Sequence, residues 1–205
     1  MIREDVDAII FDFGGVIIGL NYQATIDAFR KMGITNFEEM YSQAQQSNLF
    51  NDIETGKISS QRFINGLLDY LPPTTSPNKV VEAWNAMILD VPKQNIDLLE
   101  ELSKKYRIFL LSNTNELHIN LAFRNWNKVA EKPINNYFEK IYLSHEIGMR
   151  KPDSEIFELV CNENGLGVEN TLFIDDSEQH ILGAKSLGLK TIHHKSNELL
   201  QTLFS

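Results

Sequence analysis

Ala8-Ile9-Ile10-Phe11 reads as a short buried strand, and Asp12-Phe13-Gly14-Gly15-Val16 follows it at once with one carboxylate and a turn on two glycines. A brief apolar run rich in β-branched and aromatic residues suits a strand covered on both faces, the form strands take in a parallel sheet. Four more such runs follow: Arg107-Ile108-Phe109-Leu110-Leu111, Lys140-Ile141-Tyr142-Leu143, Thr171-Leu172-Phe173-Ile174 and Lys190-Thr191-Ile192-His193. Helical patterns lie between the later runs. One spans Asp153 to Asn164 and stops at Gly165. Another spans Glu178 to Leu187, with Ile181, Ala184 and Leu187 on one face and Gly188 as its stop. Strands alternating with helices predict an α/β fold, a doubly wound, mainly parallel five-stranded sheet.

The stretch between the first two runs breaks this rhythm, because residues 12–106 exceed what one crossover helix needs. Helical patterns cover Tyr22 to Lys31, Phe37 to Gln46, Ser60 to Leu71 and Asn78 to Ile88. Ser76-Pro77 marks a helix start, with Ser as N-cap and Pro at the first helical position. Gln94 to Lys105 reads as the crossover helix of the sheet itself. Residues 18–91 are therefore expected to form a small helical domain inserted into a Rossmann-like core of residues 1–17 and 92–205.

The bulk composition narrows the function. The 205 residues are 42% apolar with 12 Phe and carry a net charge of −9. Nucleic acid affinity comes largely from Lys and Arg on phosphates, so an acidic chain is a poor polyanion binder and no nucleic acid partner is expected. A local cluster of donors still holds one phosphate on an acidic protein. The apolar runs fall well short of a membrane span, and the acidic start does not resemble a secretory signal, so no membrane partner is expected. The single cysteine, Cys161, excludes an intrachain disulfide and suits the reducing cytoplasm. Its surroundings place it on the buried side of a helix.

Ligands of open α/β sheets bind beyond the carboxyl ends of the strands. After the first run come Asp12, Phe13, Gly14 and Gly15; after the second, Ser112-Asn113-Thr114-Asn115. Ser144-His145-Glu146 follows the third and leads to Arg150-Lys151-Pro152-Asp153, and Asp175-Asp176-Ser177 follows the fourth. Singly, each has a plain explanation: a turn aspartate, a helix cap, a surface lysine. In this order, at four successive strand ends, they converge. Asp12, Asp175 and Asp176 would repel one another without a counter-ion, and oxygen-only donors suit Mg²⁺. Ser112, Asn113 and Lys151 offer donors and positive charge for phosphate oxygens.

With these residues placed, the chain resembles the haloacid dehalogenase superfamily of phosphatases. Phe11-Asp12-Phe13-Gly14-Gly15-Val16, Leu111-Ser112-Asn113-Thr114, Arg150-Lys151-Pro152-Asp153 and Phe173-Ile174-Asp175-Asp176 match its four motifs in order, and the insertion falls where the family carries a helical cap. Glu54-Thr55-Gly56-Lys57-Ile58-Ser59 and Trp84-Asn85-Ala86-Met87 resemble a branch of small sugar-phosphate phosphatases that includes an α-D-glucose-1-phosphate phosphatase. The resemblance implies Mg²⁺-dependent hydrolysis of a small phosphorylated metabolite. Asp12 is then the nucleophile that forms an aspartyl-phosphate. Its other oxygen, the Gly14 carbonyl and Asp176 hold the metal, and Asp175 supports it directly or through water. Ser112 and the Asn113 backbone N–H hold a phosphoryl oxygen, and Lys151 neutralises the transferring group and orients Asp12.

Two positions depart from the pattern. Gly14 stands where most family phosphatases carry a second Asp as general acid, so either a group of the substrate or the cap supplies the proton or the leaving group needs little help, as an anomeric oxygen would. His180 stands where relatives often have Asp or Asn, and is expected either to orient Lys151 or to face solvent. His118, His145, His193 and His194 show no metal-ligand spacing and receive no role. Phe50 and Glu54 are cap residues that could face the pocket, although an aromatic in the core and an acid on a solvated face are the simpler readings. A metal-free 2-haloacid dehalogenase and a HAD-like binding or regulatory module without activity are the alternatives, the first opposed by Asp175-Asp176 and the second by the presence of Asp12, Ser112, Lys151 and Asp176.

Overall fold

The computed structural model describes residues 5–34, 48–195 and 198–204. The helix expected over Phe37–Gln46 lies outside them. Five strands form one sheet: β1 (Ala8–Phe11), β2 (Arg107–Ser112), β3 (Lys140–Leu143), β4 (Thr171–Asp175) and β5 (Lys190–His193). Their order is β3-β2-β1-β4-β5, and every pairing is parallel. β1 is central, with Ile9 opposite Ile108 on one side and Leu172 on the other. Successive strand residues point to opposite faces. Ile9, Phe11, Ile108, Leu110, Leu172 and Ile174 enter one apolar cluster, and Ala8, Ile10, Phe109, Leu111 and Phe173 enter the other. Both faces are covered, which is why the strands read as unbroken apolar runs. Each fully buried large side chain is worth about 1.5–3 kcal/mol.

One face is covered by α5 (Lys93–Leu102) and α6 (Glu116–Val129), the other by α8 (Ser154–Asn164) and α9 (Glu178–Leu187). Ile156, Phe157, Val160 and Cys161 form the buried stripe of α8, so the lone thiol packs as a small hydrophobe. Gly165 and Gly188 end α8 and α9 in the left-handed conformation, as expected of glycine stops. A single turn, α7 (Ser144–Ile147), follows β3.

The helical insertion comprises α1 (Tyr22–Lys31), α2 (Leu49–Glu54), α3 (Ser60–Leu68) and α4 (Pro77–Asn85) among the described residues. It has a third apolar cluster of its own, built on Phe29, Ile53, Phe63, Leu67, Val80 and Trp84. Ser76 and Pro77 start α4 as read from sequence, though the Ser76 hydroxyl makes no cap bond. α3 and α4 end three residues before their apolar patterns do. The Tyr70 and Leu71 amides bond to the carbonyls three residues back, so Leu71 packs into the cluster from a turn. The two connections to the sheet run side by side. Asn21 N–H donates to Met87 at 2.8 Å, Leu89 N–H donates to Gly19 at 3.2 Å, and Leu20 pairs with Ile88.

Candidate active site

Four strand ends meet at the carboxyl edge of the sheet, at the switch point between β1 and β4 where the winding reverses. The Asp12 N–H donates to Ile174 at 2.9 Å and so extends the ladder onto β4. The chain then closes a tight turn, with Ile17 and Ile18 donating to the Phe13 carbonyl. Gly15 takes φ +83°, and a Cβ there would collide with the Asp176 carboxylate, so this glycine is required twice over, by conformation and by space.

Lys151 is fully buried and spends all three protons: on Asp12 Oδ1 at 2.7 Å, on Asp175 Oδ2 at 2.6 Å and on the Leu111 carbonyl at 2.9 Å. Asn113 fixes the lysine's backbone from both sides, its amide donating to the Lys151 carbonyl at 2.8 Å and accepting from the Lys151 N–H at 2.9 Å. Sequence reading proposed only the Asn113 backbone as a phosphate donor and missed this clamp. Asp175 is saturated: beyond Lys151 it accepts from Ser177 N–H at 2.8 Å and faces His180 Nδ1 at 2.9 Å. Of the two expectations for His180, the geometry gives an indirect form of the first, since the ring bears on Lys151 through Asp175.

One buried ammonium therefore faces three carboxylates. Burial, with Asp175 adding to it against the pull of Lys151, pushes Asp12 up to about 6. Burial and then Asp175 raise Asp176 as well. Burial works the same way on Asp175, but Lys151, with His180, outweighs it and holds that carboxyl below its ordinary range. The local surplus of negative charge calls for a cation.

A cavity of about 750 Å³ opens over this edge. Its floor is Asp12, Ser112, Asn113, Asp176 and His180; its opposite wall is largely apolar, with Leu20, Phe50, Trp84 and Met87. Both Phe50 and Glu54 line it, and Phe50 also stacks on Trp84 at 5.5 Å. Trp84 stacks in turn on His118 at 4.7 Å. His118 Nε2 donates to the Trp84 carbonyl at 3.1 Å while Nδ1 accepts from the Asn115 amide at 3.2 Å, which fixes the neutral tautomer. Burial lowers the His118 pKa to about 4. His118 and Arg150 also line the cavity, and sequence reading gave neither a role. The signal available was position: His118 lies in the first turn of the helix that leaves β2, and Arg150 precedes the motif lysine.

A family model described as haloacid dehalogenase-like hydrolase matches residues 6–188. A D-ribitol-5-phosphate phosphatase of Bacteroides thetaiotaomicron is 32% identical over 183 residues, 89% of each chain. The chain belongs to the haloacid dehalogenase-like hydrolase family. Among solved structures, a HAD family enzyme from B. thetaiotaomicron, in complex with magnesium and inorganic phosphate, has TM-score 0.91 at 36% identity, covering 98% of this chain and 100% of that one. A predicted HAD-like hydrolase from Porphyromonas gingivalis has TM-score 0.86 at 31% identity, covering 97% and 96%.

The residues of this HAD-like hydrolase fit a hard divalent cation. Carboxylate oxygens of Asp12, Asp175 and Asp176 lie within 4.8 Å of one another, an all-oxygen donor set. Because Asp175 already has three partners, Asp12 and Asp176 are the carboxylates with capacity to spare. Among the described residues no helix is long and apolar enough to cross a membrane.

Proposed function

We propose that this hydrolase is a Mg²⁺-dependent phosphatase of small phosphate monoesters, of the sugar- or polyol-phosphate class, working in the cytoplasm through an aspartyl-phosphate on Asp12. The observation that carries the reading is the Lys151 ammonium bridging Asp12 and Asp175 beneath a cavity that also receives Asp176. The phosphatase that resembles this chain over 89% of its length supports the substrate class.

Asp12, Asp176 and the Gly14 carbonyl would hold Mg²⁺, with Asp175 supporting them from behind. The metal, when bound, supplies positive charge that offsets the repulsion between the Asp12 carboxylate and the phosphate. Lys151 keeps Asp12 ionised and aimed, and Asn113 keeps Lys151 in place. Ser112 and the Asn113 N–H receive a phosphoryl oxygen where charge builds up. A phosphate that reaches Lys151 shares a proton already given to a carboxylate or to Leu111. Residues 18–91 act as a cap whose aromatic wall encloses the leaving group and excludes water.

The test is phosphate release from ribitol 5-phosphate, glucose 1-phosphate and an aryl phosphate, with Mg²⁺ and with chelator. Release that needs Mg²⁺ is expected. Silence across all three esters would overturn the reading, and full turnover in chelator would point to metal-free chemistry on the same fold.

A further inference from the structure

A phosphate ester of a simple alcohol leaves as an alkoxide, which needs a proton as the P–O bond breaks; general acid help is worth ~10²–10⁴-fold. The turn after Asp12 supplies none. Gly14 has no side chain, and the space a Cβ would enter is occupied by Leu20, whose Cδ1 lies 2.7 Å from that point. In an in-line displacement the leaving oxygen departs on the side of phosphorus opposite the nucleophile. With Asp12 on the floor, that side is the wall formed by the helical insertion.

Most ionisable side chains around the cavity are already committed. Asp12 and Asp176 face the metal position. His118 gives its only proton to the Trp84 carbonyl. The His180 ring is held between the Asp175 carboxylate, 2.9 Å from Nδ1, and the Asn113 amide nitrogen, 3.5 Å from Nε2. Tyr22 is 61% exposed at the rim. Glu54, the last residue of α2, differs from these. Its Oε2 is buried and makes no hydrogen bond, although the Arg150 guanidinium lies 2.9 Å away. The ionisable groups facing it are Arg150 and His180, and burial raises its pKa against both.

We propose that Glu54 is a catalytic residue, the proton donor to the leaving alcohol. The assignment rests on the phosphatase reading above. In the first step an Asp12 oxygen bonds to phosphorus, the ester P–O bond breaks with its electron pair going to the alcohol oxygen, and that oxygen takes the Glu54 proton. In the second step water attacks the phosphorus of the aspartyl-phosphate, the acyl–phosphate P–O bond breaks back to the Asp12 carboxylate, and Glu54 recovers its proton from that water. Ester and water are consumed, alcohol and phosphate released, and Glu54 ends as it began.

The experiment is single-turnover formation of the aspartyl-phosphate with saturating Mg²⁺, from ribitol 5-phosphate and from 4-nitrophenyl phosphate, in wild type, Glu54→Gln and Arg150→Gln. Glu54→Gln should slow the alkyl ester by ~10²-fold or more and the aryl ester by less than ~5-fold, because a phenolate leaves without a proton. Arg150→Gln removes the same ion pair but keeps the acid, and should affect both esters alike. Equal losses on the two esters in Glu54→Gln, no loss on either, or the same ester selectivity in Arg150→Gln would overturn the assignment. Wild-type protein inactive on both esters would instead sink the phosphatase reading and this assignment with it.

Discussion

The two walls of the cavity are built on different principles. At the sheet edge Lys151 and Asp175 are each held by several directed bonds: Lys151 by three acceptors, Asp175 by Lys151, Ser177 and His180, and the Lys151 backbone by both ends of the Asn113 amide. The facing wall is mostly apolar and held by packing, with Trp84 stacked between Phe50 and His118. Preorganised charge does chemistry, and a shaped apolar wall selects what reaches it. Damage to the first should remove turnover, and damage to the second should mainly shift affinity and preference.

The largest effect is expected from Asp12→Asn. The change is nearly isosteric and removes the nucleophile, so turnover should fall by ~10⁴-fold or more, in the range seen when a covalent nucleophile is lost. It also removes one carboxylate from a crowded, dry cluster, so the variant should melt no lower than wild type without Mg²⁺. Substantial residual turnover would refute covalent catalysis at Asp12.

Gly15→Ala comes next. Its Cβ would press on Asp176, and φ +83° strains any L side chain. Mg²⁺ affinity measured by calorimetry should drop by ~10–100-fold, as when the support of a metal ligand is disturbed. Unchanged affinity would mean that Asp176 is not a ligand.

The same contrast governs what the sequence made legible. The expected runs coincide with β1, β3 and β5 and fall one residue short for β2 and β4, because strands covered on both faces leave unbroken apolar text. The residues omitted were Ser112 and Asp175, polar side chains that finish their strands inside the site. Asp12, Ser112, Lys151 and Asp175 could be brought together from sequence because a parallel sheet delivers all its strand ends to one edge. The helical wall could not be read that way. Phe50, Trp84 and His118 come from α2, α4 and α6, and no periodicity announces that three separate helices will stack their rings. Glu54 looked like a solvated acid because its partner, Arg150, lies far along the chain.

Trp84→Leu tests the second wall. It trims a large ring from the cavity lining and from the stack with Phe50 and His118. KM for ribitol 5-phosphate should rise about tenfold, equivalent to ~1.4 kcal/mol, with kcat within about threefold. A fall in kcat with unchanged KM would place Trp84 in the chemistry and blur the division between the walls.

The smallest effect is a pH dependence at the joint between the walls. His118 has a folded pKa of about 4 against an ordinary 6.5, because burial disfavours its charged form. Between those values the unfolded chain binds a proton that the folded chain refuses, so stability falls as pH drops through that window. At about pH 5 the loss amounts to up to about 2 kcal/mol; it is an upper figure because the ring is only partly screened from solvent. His118→Gln keeps an amide able to donate to the Trp84 carbonyl but has nothing to titrate. Melting temperatures at about pH 7 and about pH 5 should therefore fall less on acidification in the variant than in wild type. His145 and His194, also lowered by burial, contribute to both proteins and cancel in the comparison. Equal falls would mean that the His118 ring takes its proton without leaving the joint, and that the contact between Trp84 and α6 tolerates charge.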